Sequence, residues 1–252
     1  MKALITGASS GIGKAMAEIL SARGYDIIAV ARRENRLLML KKRLRTNVRI
    51  IALDLSDQES CYELYRLVKD EKIDILINNA GFGIFGCFSE TDLSRELEMI
   101  DVNIRSVHIL TKLFLNDFRK RNSGYIMNVA SSAGFMPGPL MSSYYASKAY
   151  VLNLTQAISE ELRREASGVH VCALCPGPVK TEFDKIANVS FGIGVMGAVQ
   201  VSKYAIEKMF MRKTVIVPGV HIKAAVLSAR FAPRKSLLKI VYGIQDNKKS
   251  NN

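Results

Sequence analysis

Apolar residues along this chain fall into two alternating kinds of segment. Short runs rich in Val, Ile, Leu and Ala, apolar on both sides, occupy residues 2–6, 26–31, 48–53, 74–78, 124–130, 169–175 and 214–217. Between them lie longer stretches whose apolar positions recur every three or four residues, at 14–23, 35–44, 58–69, 93–120 and 142–165. Positions three and four apart share one face of a helix, and a strand that is apolar on both sides is buried on both. Strand and helix in repeated alternation predict an α/β fold, a doubly wound and mostly parallel seven-stranded sheet with helices on both faces. No linker or repeat interrupts the pattern, so residues 1–252 read as one domain, with a basic helical extension from about residue 220 to residue 252.

Composition narrows the class without changing that picture. The 252 residues are 48% hydrophobic and 23% charged, with 17 Gly and 6 Pro, which excludes disordered and low-complexity chains. Four cysteines are too few for a disulfide scaffold and point to a reducing, cytoplasmic setting. A strand-like run starting at Met1 leads to the expectation that no signal peptide is present. The longest uncharged stretch, residues 122–147, is broken by Gly134, Pro137, Gly138 and Pro139, so no membrane span is expected. The net charge is +13, but no nucleic-acid recognition motif accompanies it, so nucleic-acid binding is not expected.

In an open parallel sheet, ligands bind outside the carboxyl ends of the strands, where strand order reverses. The first strand ends in Thr6-Gly7-Ala8-Ser9-Ser10-Gly11-Ile12-Gly13, directly before a helix. Glycines there let backbone N–H groups and the helix dipole face a pyrophosphate. Two rivals share the segment. A kinase-type phosphate loop fails because Gly13-Lys14 is followed by Ala15. Gly7-Ala8-Ser9-Ser10-Gly11 matches a hydrolase nucleophile elbow, but nothing near His170 or His221 supports a catalytic base.

The second strand ends Val30-Ala31-Arg32-Arg33-Glu34. Ala31 stands where a carboxylate would bind the ribose of NAD, and a guanidinium there suits the 2′-phosphate of NADP. Arg32 and Arg33 therefore favour NADP(H), with Glu34 as a rival signal for NAD and a solvated basic helix as the plainer alternative.

Further along, Ser131-Ser132 closes the fifth strand, and Tyr144-Tyr145-Ala146-Ser147-Lys148 opens a helix. Lys148 shares a face with Tyr144, four residues away, and spacing alone leaves Tyr145 open as well. A free phenol titrates near 10, so proton transfer near pH 7 asks for a shift of about three units, or about 4 kcal/mol. A cation about 4 Å away at an effective dielectric of about 20 supplies about 4 kcal/mol, and burial opposes it.

In these motifs the chain resembles the short-chain dehydrogenase/reductase family over nearly its whole length. Thr6, Gly7, Gly11, Ile12 and Gly13 match the Thr-Gly-x-x-x-Gly-x-Gly turn, Asn78-Asn79-Ala80-Gly81 the motif after strand four, and Pro176-Gly177-Pro178-Val179-Lys180-Thr181 the Pro-Gly segment. The resemblance implies a Rossmann-like fold and catalytic roles for Asn103, Ser131, Tyr144 and Lys148. The family's serine-to-tyrosine spacing selects Ser131 over Ser132 and Tyr144 over Tyr145. It further implies an NADP(H) site formed by Gly7, Ser9, Ser10, Gly11, Ile12, Gly13, Arg32, Arg33, Asp54, Leu55, Asn79, Ala80, Gly81, Tyr144, Lys148, Pro176, Gly177, Val179 and Thr181. The implied activity is hydride transfer between NADP(H) and a carbonyl or alcohol substrate, such as a ketone or 3-oxoacyl compound with an apolar portion. A catalytically silent NADP-binding regulator on the same fold is the alternative. The resemblance also implies a homodimer or homotetramer.

Other segments carry plainer expectations. Cys172 and Cys175 lie three apart on a strand and point to opposite faces, and His108, His170 and His221 lack ligand spacing, so no metal is expected. Residues 186–202 are uncharged and glycine-containing and read as a lid over an apolar substrate, with Phe82, Phe85 and Phe135 lining the same pocket. Residues 220–252 carry seven basic residues and one acidic, +6 of the net +13, and residues 221–232 and 234–242 read as amphipathic basic helices. Such a tail suits an anionic membrane surface or acidic partner, or packs on its own domain.

Overall fold

The computed structural model describes residues 1–183 and 195–246. Chain order runs β1 (Lys2–Thr6), α1 (Gly11–Ala22), β2 (Asp26–Ala31), α2 (Glu34–Lys41), β3 (Val48–Ala52), α3 (Gln58–Val68) and β4 (Ile75–Asn78). It continues with α4 (Leu93–Ile100), a π-helical turn (Asp101–Arg105), α5 (Ser106–Lys120), β5 (Gly124–Val129), α6 (Ser142–Arg164) and β6 (Val169–Leu174). Then follow β7 (Val179–Lys180), β8 (Met196–Gly197), α7 (Ala198–Phe210), β9 (Val215–Ile216), α8 (Val220–Ala229) and α9 (Arg234–Asp246). Expected and observed strand ends differ by a residue or so, because pairing partners rather than composition decide where a ladder stops.

The main sheet has seven parallel strands in the order β3-β2-β1-β4-β5-β6-β9. Alternation within strands sorts the core into two layers, as the two-residue period of a strand requires. Ala3, Ile5, Ile27, Ala29, Ile75 and Ile77 face α1, α2 and α7, where Met16, Leu20, Leu37, Leu40, Val201 and Ile206 complete the packing. Leu4, Ile28, Val30 and Leu76 face α3, α5 and α6, through Leu64, Val68, Leu110, Phe114, Phe118 and Leu162. Cross-linking polar groups sit inside this second layer. Asn78 donates to Thr111 and Asn128 at 3.0 and 2.9 Å, and Asn128 donates to Thr155 at 3.0 Å, tying β4 and β5 to α5 and α6.

Strand order reverses between β1 and its neighbours β2 and β4, which opens a crevice above the carboxyl ends of β1 and β4. The stretch expected as one helix over residues 93–120 is helical throughout but contains the π turn at Asp101–Arg105. A single wide turn of this kind is too short an irregularity within a long helix for apolar spacing to locate it.

Cys172 and Cys175 are buried free thiols, and burial pushes the Cys175 thiol up to about 12. Buried His170 is held down at about 4, chiefly by burial. No cluster of metal-ligating groups occurs among the described residues. Of the expected lid, residues 186–194 lie outside the described residues, and the remainder forms β8 and the first turns of α7. Among the described residues no helix is long and apolar enough to cross a membrane.

Candidate active site

The crevice is a cleft of about 380 Å³ that runs from the glycine turn to the start of α6. At one end, Gly7 and Gly11 adopt φ values of 65° and 54°, a region costly for residues with a Cβ. A methyl group on Gly7 would lie 2.7 Å from Asn79 Nδ2, and one on Gly13 would lie 2.5 Å from the Gly7 carbonyl oxygen. The loop after β4 therefore presses directly on the turn. Asn79 Nδ2 donates to the Thr6 carbonyl at 2.9 Å, and the Thr6 hydroxyl oxygen accepts from the backbone N–H groups of Asn79 and Ala80 at 2.9 and 3.0 Å. This bracing spans more than seventy residues of sequence and fixes the shape of the cradle.

The two arginines after β2 separate in role. Arg33 turns onto the glycine loop and donates to the hydroxyls of Ser9 and Ser10 at 3.2 and 3.1 Å, while its other nitrogen meets Glu182 at 2.9 Å. Arg32 turns away and pairs with Glu98 at 2.9 Å and Asp54 at 3.5 Å. Two hydroxyls and a guanidinium at one edge of an amide-rich turn are donors of the kind a phosphate group accepts from. Leu55, Ala80, Gly81, Pro176, Gly177, Val179 and Thr181 also line the cleft. The residues present thus fit a phosphorylated dinucleotide.

At the other end, α6 presents Tyr144 and Lys148 to the cleft, with Ser131 opposite them at the end of β5. Lys148 is buried, and its Nζ donates to the Val129 carbonyl at 2.9 Å and lies 5.8 Å from the centre of the Tyr144 ring. The Ser131 hydroxyl accepts from the Ala133 N–H at 3.1 Å, capping the short 3-10 turn Ser132–Phe135. Burial pushes the Tyr144 phenol up to about 12, opposed by the Ser131 hydroxyl, and pushes Lys148 down to about 8. The amine is bonded to a carbonyl and is itself desolvated, so burial is the dominant influence on both groups, the opposing effect that the sequence argument allows for.

Asn103, buried in the π turn, donates to the Phe82 carbonyl at 2.9 Å and the Ser147 hydroxyl at 3.0 Å, and accepts from the Phe82 N–H at 3.1 Å. A methyl group on Gly81 would lie 2.8 Å from Asn103 Oδ1 and 3.3 Å from Lys148 Nζ, so this glycine separates the amide from the amine. Asn103→Leu leaves the buried Phe82 N–H and carbonyl unpaired, at about 1–3 kcal/mol each, and takes one partner from the Ser147 hydroxyl, which still donates to the Tyr144 carbonyl. The expected result is a Tm lower by roughly 4–24 °C in a thermal melt, from about 2–6 kcal/mol at about 2–4 °C per kcal/mol.

Of the three phenylalanines expected in the pocket, only Phe82 lines the cleft. Phe85 packs beside Met141 and Tyr144, and Phe135 packs against the cluster of Val151 and Leu152. Sequence reasoning missed Met141, Phe183 and Gln245, all of which line the cleft. Gln245 comes from α9, where Leu237, Val241 and Gln245 form the inner face, and it donates to the Tyr145 hydroxyl. Its place four residues beyond two apolar inner positions is a signal that the periodicity of the tail carries. Ile222 of α8 packs against Gly177, so the tail does lie on its own domain.

The family model described as short chain dehydrogenase matches residues 1–188. The 3-oxoacyl-(acyl-carrier-protein) reductase of Vibrio harveyi is 33% identical over 188 residues, covering 74% of this chain and 76% of that protein. Among solved structures, a short-chain dehydrogenase from Sphingobium yanoikuyae in complex with NADPH is 33% identical. It covers 94% of both chains with a TM-score of 0.83. A short chain dehydrogenase/reductase from Burkholderia phymatum in complex with NAD is 27% identical, covering 89% of this chain and 91% of that one with a TM-score of 0.82.

Proposed function

Because this chain belongs to the short-chain dehydrogenase family of oxidoreductases, we propose that it transfers hydride between NADP(H) and a ketone or 3-oxoacyl-type substrate with an apolar portion. The observation that carries the reading is the convergence of Ser131, Tyr144 and Lys148 on one end of the cleft, with Arg33, Ser9 and Ser10 at the other. A bound nicotinamide supplies or accepts the hydride. Everything else is the work of side chains.

Tyr144, with its phenol held protonated, donates a proton to the substrate oxygen in reduction and takes it back in oxidation. Ser131 steadies that oxygen by hydrogen bonding. Lys148 carries the positive charge that favours the phenolate left behind, and Asn103 holds the loop after β4 against α6 so that the amine stays in place. Gly7, Gly11 and Ile12 would hold the pyrophosphate with Gly13 packed behind them on the Gly7 carbonyl, Arg33 would meet the 2′-phosphate while Arg32 stays with Glu98 and Asp54, and Asp54 and Leu55 would border the adenine. Asn79, Ala80, Gly81, Pro176, Gly177, Val179 and Thr181 line the nicotinamide side. Two comparisons support different parts of this reading. The Vibrio relative supports 3-oxoacyl chemistry, and the NADPH-bound neighbour supports the phosphorylated cofactor. Met141, Phe183 and Phe82 make the substrate side apolar, which favours a substrate with a hydrocarbon portion.

One catalytic domain, a cytoplasmic setting supported by the free cysteines, and a homodimer or homotetramer complete the proposal. Exposed Leu93 and Leu97, one turn apart on α4, support the oligomer. The test is NADPH oxidation followed by absorbance across a panel of ketones and 3-oxoacyl thioesters. Turnover of at least one apolar member is expected. NADPH binding without turnover of any compound would favour the silent regulator instead.

A further inference from the structure

We propose that the outer face of the C-terminal α8–α9 pair docks on an anionic phospholipid surface. The inner sides of both helices are accounted for. Ile222 lies against Gly177, Val226 and Leu237 are buried, and Val241 and Gln245 continue the buried face of α9. The outer side is apolar where a solvated tail would be polar. Val220, Ala224 and Leu227 follow one another at spacings of four and three, which is one stripe of α8, and Phe231 lies two residues past its end. Val220 is 81% exposed, Leu227 57% and Phe231 82%. On α9, Ile240 and Ile244 form a second exposed strip one turn long, beside a strip formed by Lys235 and Lys239.

Charge identifies the occupant. Residues 220–245 contain Lys223, Arg230, Arg234, Lys235 and Lys239 and no Asp or Glu. None of these five forms an ion pair with a carboxylate among the described residues, and only Lys223 has a side-chain partner there, the Tyr204 hydroxyl at 2.9 Å. Elsewhere Arg33, Arg49, Arg105, Arg119, Arg163 and Arg164 each pair with an acid. A second copy of the chain is a poor occupant, because a two-fold contact would set the same cations against themselves. A bilayer bearing anionic headgroups meets both halves of the face, with phosphate charge for the lysines and arginines and the acyl boundary for the apolar stripe. The same α9 helix supplies Gln245 to the catalytic cleft, so docking would act on an element that borders the site.

The experiment uses the full chain and sedimentation with vesicles of phosphatidylcholine alone or of equal parts phosphatidylcholine and phosphatidylglycerol. At least tenfold more protein is expected to sediment with the mixed vesicles, and most of that excess is expected to vanish at about 0.5 M salt, where charges are strongly screened. Lys235→Glu with Lys239→Glu, and separately Leu227→Glu with Phe231→Glu, should each abolish the difference while leaving the circular-dichroism melt unchanged, because all four side chains are exposed. Equal sedimentation with both vesicle types, or unimpaired binding by both double variants, would overturn the proposal. None of these readouts depends on turnover, so the result stands apart from the assigned chemistry.

Discussion

Replacing Tyr144 by phenylalanine is expected to lower kcat for carbonyl reduction by a factor of roughly a hundred to ten thousand, the range a positioned general acid supplies. Only the hydroxyl is lost. The ring still packs against Phe183 at 5.4 Å between centres, and Met141 and Phe85 still surround it, so the cleft keeps its shape. NADPH affinity, measured by quenching or calorimetry, should stay within about twofold, which separates loss of the acid from loss of the site. A pH profile of the unaltered protein adds a second check. Tyr144 is held at about 12 and Lys148 at about 8, both through burial, so the phenol keeps its proton across the neutral range while the amine keeps its charge only up to about pH 8. Reduction should therefore decline as pH rises through about 8, when Lys148 can no longer favour the phenolate that proton donation leaves. Undiminished turnover in Tyr144→Phe would remove the phenol from the mechanism, and a rate flat to pH 10 would remove the lysine's charge.

Arg33→Ala is expected to raise the KM for NADPH by roughly 10- to 100-fold, the loss of charge-assisted hydrogen bonds worth about 1.5–3 kcal/mol. The KM for NADH should change less than about twofold, since NADH lacks the 2′-phosphate. The sequence put Arg32 and Arg33 on the same footing, and the structure separates them. Arg33 is directed to Ser9 and Ser10, whereas Arg32 is engaged by Glu98 and Asp54. Arg32→Ala should weaken NADPH less directly, by taking one cation from Glu98, which keeps Arg95, and from Asp54, which keeps the Ser56 N–H and hydroxyl. Steady-state kinetics with each cofactor decides the matter, and equal losses with NADH and NADPH in Arg33→Ala would defeat the assignment to the phosphate. Glu182 modulates the same group, because it holds Arg33 at 2.9 Å and also pairs with Arg36. Both arginines keep the Glu182 carboxyl below its ordinary range.

Local patterns determined a large share of this protein. Short runs apolar on both sides such as Ile27–Val30 and period-3.6 runs such as Met16–Leu20 declare their own geometry, because strand and helix place successive side chains differently wherever the segment lies. The glycine turn before α1 and the four-residue step from Tyr144 to Lys148 were legible for the same reason, since each lies within a dozen residues and needs no distant partner. Tertiary structure decided everything that joins remote segments. Asn79 bracing Thr6, Asn103 holding Phe82 and Ser147, and Gln245 reaching Tyr145 each join residues from 21 to 100 positions apart. No spacing rule specifies such meetings. The protonation of Tyr144 and Lys148 belongs to the same class, because burial depends on what the whole chain packs around a side chain rather than on the residues beside it. Sequence alone thus named the chemical groups, and packing decided which of them meet and how much water each one keeps.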